Sequence, residues 1–225
     1  MNTVMQSKQQ RTRALTESAI MVALATILSL FKLYELPWGG SFTLASMLPL
    51  VVVGYRHGFR WGLLSSLVYS LMQMMLGFGT ISAAFLPGDD QMIWYQAVLM
   101  VILDYVLAFS LIGLAGLFRD KNHPSRSMAL GALVGTCGRF VMHFFSGWIL
   151  WGAWASYFFE DMDATTGGTF GAWVLNHFSG QGLGAFYSLI YNAFYMVPEI
   201  LITVLLAILI GRIPQIRQNA VFPES

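Results

Sequence analysis

From Met92 to Leu117 the chain runs through apolar and uncharged side chains with a single charge, Asp104, in the stretch "ILDYVLAFS". A run of that length crosses the hydrocarbon core of a bilayer, which takes roughly 20 residues of helix. In hydrocarbon the backbone has no water to bond, so such a segment must satisfy its own N–H and C=O groups as an α-helix. Similar runs fall at roughly 14–33, 43–55, 59–86, 92–118, 128–158 and 184–211, separated by breaks such as "LPWGGS", "LPGDD" and "DKNHPS". The expected fold is all-α, a six-helix transmembrane bundle forming one integral membrane domain over 1–225. Only 10% of the residues are charged and 56% are hydrophobic, against about a quarter charged in a soluble domain. The second run is short for a span and contains Pro49, so it is expected to be kinked, tilted or partly interfacial.

Charge orients the bundle. In a six-helix arrangement Lys8, Arg11, Arg13, Arg56, Arg60, Arg119, Lys121, Arg126, Arg212 and Arg217 share one side, which is therefore cytoplasmic and holds both termini. The opposite loops carry Glu35, Asp89, Asp90, Glu160, Asp161 and Asp163, with Lys32 the one base among them. The basic N-terminus before the first run resembles a secretory signal, but that run is long enough to span and is read as a retained helix.

Several classes are excluded. A net charge of +1 gives no basic face for nucleic acid. Cys137 is the single cysteine, so neither an internal disulfide nor a zinc motif exists. There is no G-x-S-x-G, no H-E-x-x-H and no G-x-x-x-x-G-K-[ST], which removes the common hydrolase and ATPase routes. The 13 methionines call for no metal or cofactor, since Met packs readily in apolar helices.

Four ionisable residues stand at membrane depth: Asp104, Arg139, His143 and Glu199. At about 1.5 Å per residue, Asp104 lies about 18 Å from the outer start of its helix and Arg139 about 17 Å from the inner start of the next. Arg139, His143 and Ser146 follow helical spacing, as do Ser188, Asn192, Tyr195 and Glu199, so each set is one polar stripe. Toward the outer end the same helices carry Trp94, Tyr105, Trp148, Trp151, Trp154, Tyr187 and Tyr191. Taken singly, Asp104 and Arg139 read equally well as a structural ion pair, His143 as an interhelical hydrogen bonder and the aromatics as an interfacial belt. Their convergence exceeds those readings. An acid, an imidazole, an amide and aromatic faces suit a small, flat, cationic heteroaromatic ligand.

The stretches "LTESAIMVALATILSL", "LDYVLAF", "RFVMHFFSGWILW" and "YSLIYNAF" together resemble the thiamine-specific S components of energy-coupling factor transporters, over nearly the whole chain. The resemblance implies six helices around a substrate pocket in the outer half of a prokaryotic plasma membrane protein. By position it places the pocket acid on Asp104 beside Tyr105, the pocket histidine on His143 and a stacking tryptophan on Trp151. It places the last helix's pair on Tyr187 and Asn192, a loop tryptophan that closes over the ligand on Trp38, and an aromatic on Trp94. Some relatives carry glutamate where Asp104 stands, so a water can bridge the shorter reach. The long 156–186 segment leaves open whether Trp154 or Trp173 also reaches the pocket.

The resemblance further implies thiamine as transported ligand, no cofactor, and three partners: a membrane scaffold subunit and two ATPases. Ala19 and Ala23 form a small-x-x-x-small face on the first helix, suited to the scaffold or to packing within the bundle. The alternatives are an S component for another vitamin and a proton-coupled secondary transporter using Asp104, His143 and Glu199 as a relay.

Overall fold

The structure is a computed structural model and describes residues 2–36, 39–89, 91–218 and 220. It is helical, as expected, with ten helices among the described residues. The first, α1 (Asn2–Leu30), turns Ala14, Ser18, Val22, Ala25 and Ser29 inward at helical spacing, while Leu15, Ala19, Ile20, Ala23 and Ile27 face outward.

The chain after α1 departs from the expected pattern. Strand β1 (Lys32–Glu35) pairs antiparallel with β2 (Ser41–Thr43) in a hairpin, where the sequence reading placed the end of one helix and the start of another. Tyr34, Phe42 and Thr43 favour extended backbone, and Gly39 takes a left-handed φ of +95° that turns the chain.

The next helix, α2 (Leu48–His57), has 10 residues, about 15 Å, and crosses no bilayer alone. Pro49 sits in its first turn, where a missing N–H costs nothing. Leu48 to Arg56 are all buried, so this apolar run is core rather than span.

The run expected as one helix over 59–86 is two, α3 (Phe59–Leu76) and α4 (Phe78–Phe85), bent by 68° at Gly77. Tyr105 fills the side of the bend: a Cβ on Gly77 would meet its ring carbons at 2.9 Å. The next helix, α5 (Trp94–Leu117), is wound unevenly. Val101–Leu107 are π-helical and Leu111–Leu117 are 3-10, so Asp104 lies in a widened turn of the kind that recurs at functional sites.

A long helix, α6 (Pro124–Leu150), is followed by a 3-10 turn at Gly152–Trp154, then α7 (Ala155–Thr166) and α8 (Phe170–His177). These two short helices replace the expected continuation to 158 and the loop beyond it. Asp163 holds their junction by accepting from the N–H groups of Gly171 and Ala172, each at 2.7 Å. Then α9 (Gly180–Ile210) runs the length of the bundle, and the short α10 (Pro214–Gln218) follows it.

Among the described residues four helices are long and apolar enough to span, namely Lys8–Leu30 of α1, α5, α6 and α9, and the count rises to five where the bent pair α3–α4 is taken as one span. Close approach among α2, α3 and α5 depends on small residues: a Cβ on Gly113 would lie 2.5 Å from Leu63 Cα. At the basic end, Arg119 donates from Nε to the Tyr55 carbonyl at 2.7 Å, and Glu17 joins α1 to α2 through Arg56 at 2.9 Å and His57 at 2.7 Å.

Candidate functional site

A cavity of ≈ 380 Å³ lies between α3, α5, α6 and α9, with the hairpin across one side. That volume is in the range of small-molecule sites. Asp104 and Tyr105 of α5, His143 and Gly147 of α6, and Trp151 at the end of α6 form one wall. Tyr187, Tyr191, Asn192 and Tyr195 of α9 form the next, an aromatic ladder at helical spacing.

The carboxylate at the centre is well provided with donors. Ser146 Oγ donates to Asp104 Oδ2 at 2.6 Å, and His143 Nδ1 lies 2.8 Å from Oδ1. Arg139 does not pair with Asp104. Its Nε lies 3.1 Å from His143 Nε2, its Nη1 3.4 Å from Met47 Sδ, and its guanidinium sits 4.4 Å above the centre of the Phe109 ring. The reading of Asp104 and Arg139 as direct partners is thus corrected: Arg139 lies one turn deeper on α6, and the imidazole stands between them.

Asn192 is a fastener as much as a lining residue. Its Nδ2 donates to the His143 carbonyl at 3.2 Å and the Ser188 carbonyl at 2.8 Å, while its Oδ1 accepts from Tyr195 Oη at 2.6 Å. Ser188 Oγ donates to the Phe144 carbonyl at 2.7 Å, so α6 and α9 are locked beside the cavity.

The hairpin covers one side of the cavity. Tyr191 Oη accepts from the Gly40 N–H at 3.2 Å, and a Cβ on Gly40 would meet the Tyr195 ring at 2.8 Å, so glycine is needed there. Glu199 anchors the hairpin's far end. It is fully buried, accepts from the Thr43 N–H at 2.6 Å and the Thr43 hydroxyl at 2.9 Å, and does not line the cavity.

Of the expected site residues, Asp104, Tyr105, His143, Trp151, Tyr187 and Asn192 all line this cavity. Trp94 does not: as the first residue of α5 it points outward, 72% exposed, with its edge against Tyr95. Trp38 lies outside the described residues. Neither Trp154 nor Trp173 lines the cavity, and Trp173 instead stacks on His177 at 4.6 Å.

Sequence reasoning missed the α1–α3 wall, where Ser29, Tyr69 and Gln73 line the cavity. Ser29 Oγ donates to the Thr26 carbonyl at 2.7 Å and accepts from Gln73 Nε2 at 2.9 Å. The signal was present as Ser66, Tyr69, Ser70 and Gln73 at i, i+3, i+4 and i+7 in a mostly apolar helix. Among the described residues no group of three His, Cys, Asp or Glu is placed to hold a metal ion.

Membrane-length apolar helices around an aromatic cavity with the held carboxylate of Asp104 define a membrane transport protein that binds a small organic substrate. The family model described as "Thiamine transporter protein (Thia_YuaJ)" matches residues 15–165, and the chain belongs to that family. It is 28% identical over 218 residues to the thiamine transporter ThiT of Bacillus subtilis (strain 168), covering 91% of this chain and 94% of that protein. Its fold is similar to a solved structure of ThiT from Listeria monocytogenes, with a TM-score of 0.62 at 24% identity over 92% of this chain and 98% of that one. The chain is therefore a multi-pass membrane protein of thiamine uptake, a transporter and not an enzyme.

Proposed function

We propose that the chain is the substrate-capture subunit of an ATP-driven vitamin uptake system. It binds thiamine in the cavity from the outer side, with both termini cytoplasmic, and delivers it when an energy-coupling module of one scaffold subunit and two ATPases reorients it. Asp104 faces the thiazolium charge, Trp151 and the Tyr187–Tyr191–Tyr195 ladder stack on the rings, and Asn192 and His143 frame the pyrimidine. Trp38, by the family resemblance, closes over the bound ligand. No cofactor is required, since the ligand is moved unchanged.

The observation that carries this reading is the Asp104 carboxylate on the wall of an aromatic-lined cavity, with no Lys or Arg paired directly to it among the described residues. A carboxylate so placed suits a cationic ligand. The outward-facing Ala19 and Ala23 support a docking face for the scaffold helix. Calorimetry of the purified chain tests the ligand: saturable binding of thiamine and none of riboflavin is expected, and the reverse would reassign the vitamin.

A further inference from the structure

We propose that Arg139 is a positioning residue of the substrate site, which fixes His143 in one neutral tautomer and through it holds Asp104 as an oriented, uncancelled anion. The deduction starts from donors and acceptors. A guanidinium has N–H groups and no acceptor, so the 3.1 Å contact from Arg139 Nε requires His143 Nε2 to offer a lone pair. The one ring proton of His143 must then be on Nδ1, where it donates to Asp104 Oδ1 at 2.8 Å. An imidazolium has no lone pair to accept with, so it is incompatible with the Arg139 contact.

The titratable and charged groups that face His143 are Asp104 from α5, Arg139 from its own helix, and Tyr195 from α9 with ring centres 6.0 Å apart. Tyr195 Oη is committed to Asn192, so it does not compete for the ring nitrogens. The relay has a purpose. A direct Arg139–Asp104 pair would cancel the carboxylate, and a charged His143 would do the same. With a neutral imidazole between them, Asp104 keeps its charge toward the cavity while its two oxygens are held by His143 and Ser146.

The use of the carboxylate for a cationic ligand rests on the function proposed above, but the tautomer does not, and the two are tested separately. Histidine ¹⁵N NMR of the full ligand-free chain, with His143 assigned by its loss in His143→Asn, is expected to show neutral imidazole with the proton on Nδ1 from about pH 5.5 to about pH 8, across the ordinary range of histidine titration. A proton on Nε2, or an imidazolium appearing within that range, would overturn the proposal. In Arg139→Met, His143 becomes free to take a second proton, and Arg139→Lys, which restores a donor, should recover the wild-type spectrum. Thiamine affinity of Arg139→Met relative to wild type, at each pH so that the ligand's own protonation cancels, is expected to fall up to about tenfold per pH unit once His143 charges. Parallel pH profiles for the two proteins would refute the positioning role even if thiamine binds tightly to both. If Arg139→Met does not fold, the wild-type spectrum alone decides.

Discussion

Tyr195 Oη donates to Asn192 Oδ1 across 2.6 Å on the cavity side of α9, and both residues are buried. The bond occupies the amide oxygen and orients the amide so that its nitrogen reaches back to the carbonyls of His143 and Ser188. Tyr195→Phe removes one hydroxyl and leaves a buried acceptor without this donor. A loss of about 1 to 3 kcal/mol of stability is expected, the usual cost of stranding a buried polar group, read as a lower melting temperature of the detergent-purified protein. An unchanged melting temperature would mean that Asn192 finds another donor.

Trp151 ends α6 on the cavity wall. Thiamine is expected to quench tryptophan fluorescence, and Trp151→Ala to weaken binding by about 1 to 3 kcal/mol in a protein that stays folded. Equal affinity in the folded variant would remove Trp151 from the site.

Gly113 sits where α5 meets α3, with no room for a methyl group beside the Leu63 backbone. Since backbone cannot move aside as a side chain can, Gly113→Ala should cost about 1 to 3 kcal/mol or more and lower the melting temperature. Gly79→Ala, at a position with nothing within 4 Å, is the control expected to leave it nearly unchanged.

The long apolar runs were legible because a bilayer leaves few ways to satisfy a backbone, and the α5, α6 and α9 walls were legible because charge within such runs is rare. Arg139 and His143 of one polar stripe and Asn192 and Tyr195 of the other line one cavity, while Ser146 reaches it only through Asp104 and Glu199 does not line it. Hydropathy could not distinguish α2, an apolar helix buried by its neighbours, from one that spans lipid. Nor could it foresee the 68° bend at Gly77, which depends on Tyr105 arriving from another helix, or the hairpin, whose strands are shorter than any pattern window. The Asp104–Arg139 pairing failed on direction: similar depth in the membrane says nothing of which side chain lies between.

Ala19 and Ala23 face outward on α1 and touch nothing in the cavity. Bulk there should leave the substrate site intact while blocking a scaffold helix. Ala19→Trp and Ala23→Trp are each expected to bind thiamine as the wild type does and to abolish uptake in cells. Normal uptake by both variants would show that the face is not the docking surface.

The account turns on Asp104 serving a cation, and charge can be removed there with almost no change of shape. Dissociation constants of wild type and Asp104→Asn should be measured for thiamine and for a neutral isostere with pyridine in place of the thiazolium, alongside the ligand-free melting temperatures. The expected result is a loss on the order of 2 to 4 kcal/mol for thiamine, as when one member of a buried charge pair is deleted, and a much smaller loss for the neutral isostere. Equal losses for both ligands, accompanied by a lower melting temperature, would instead make Asp104 a structural element of the His143–Ser146 network and contradict the assignment.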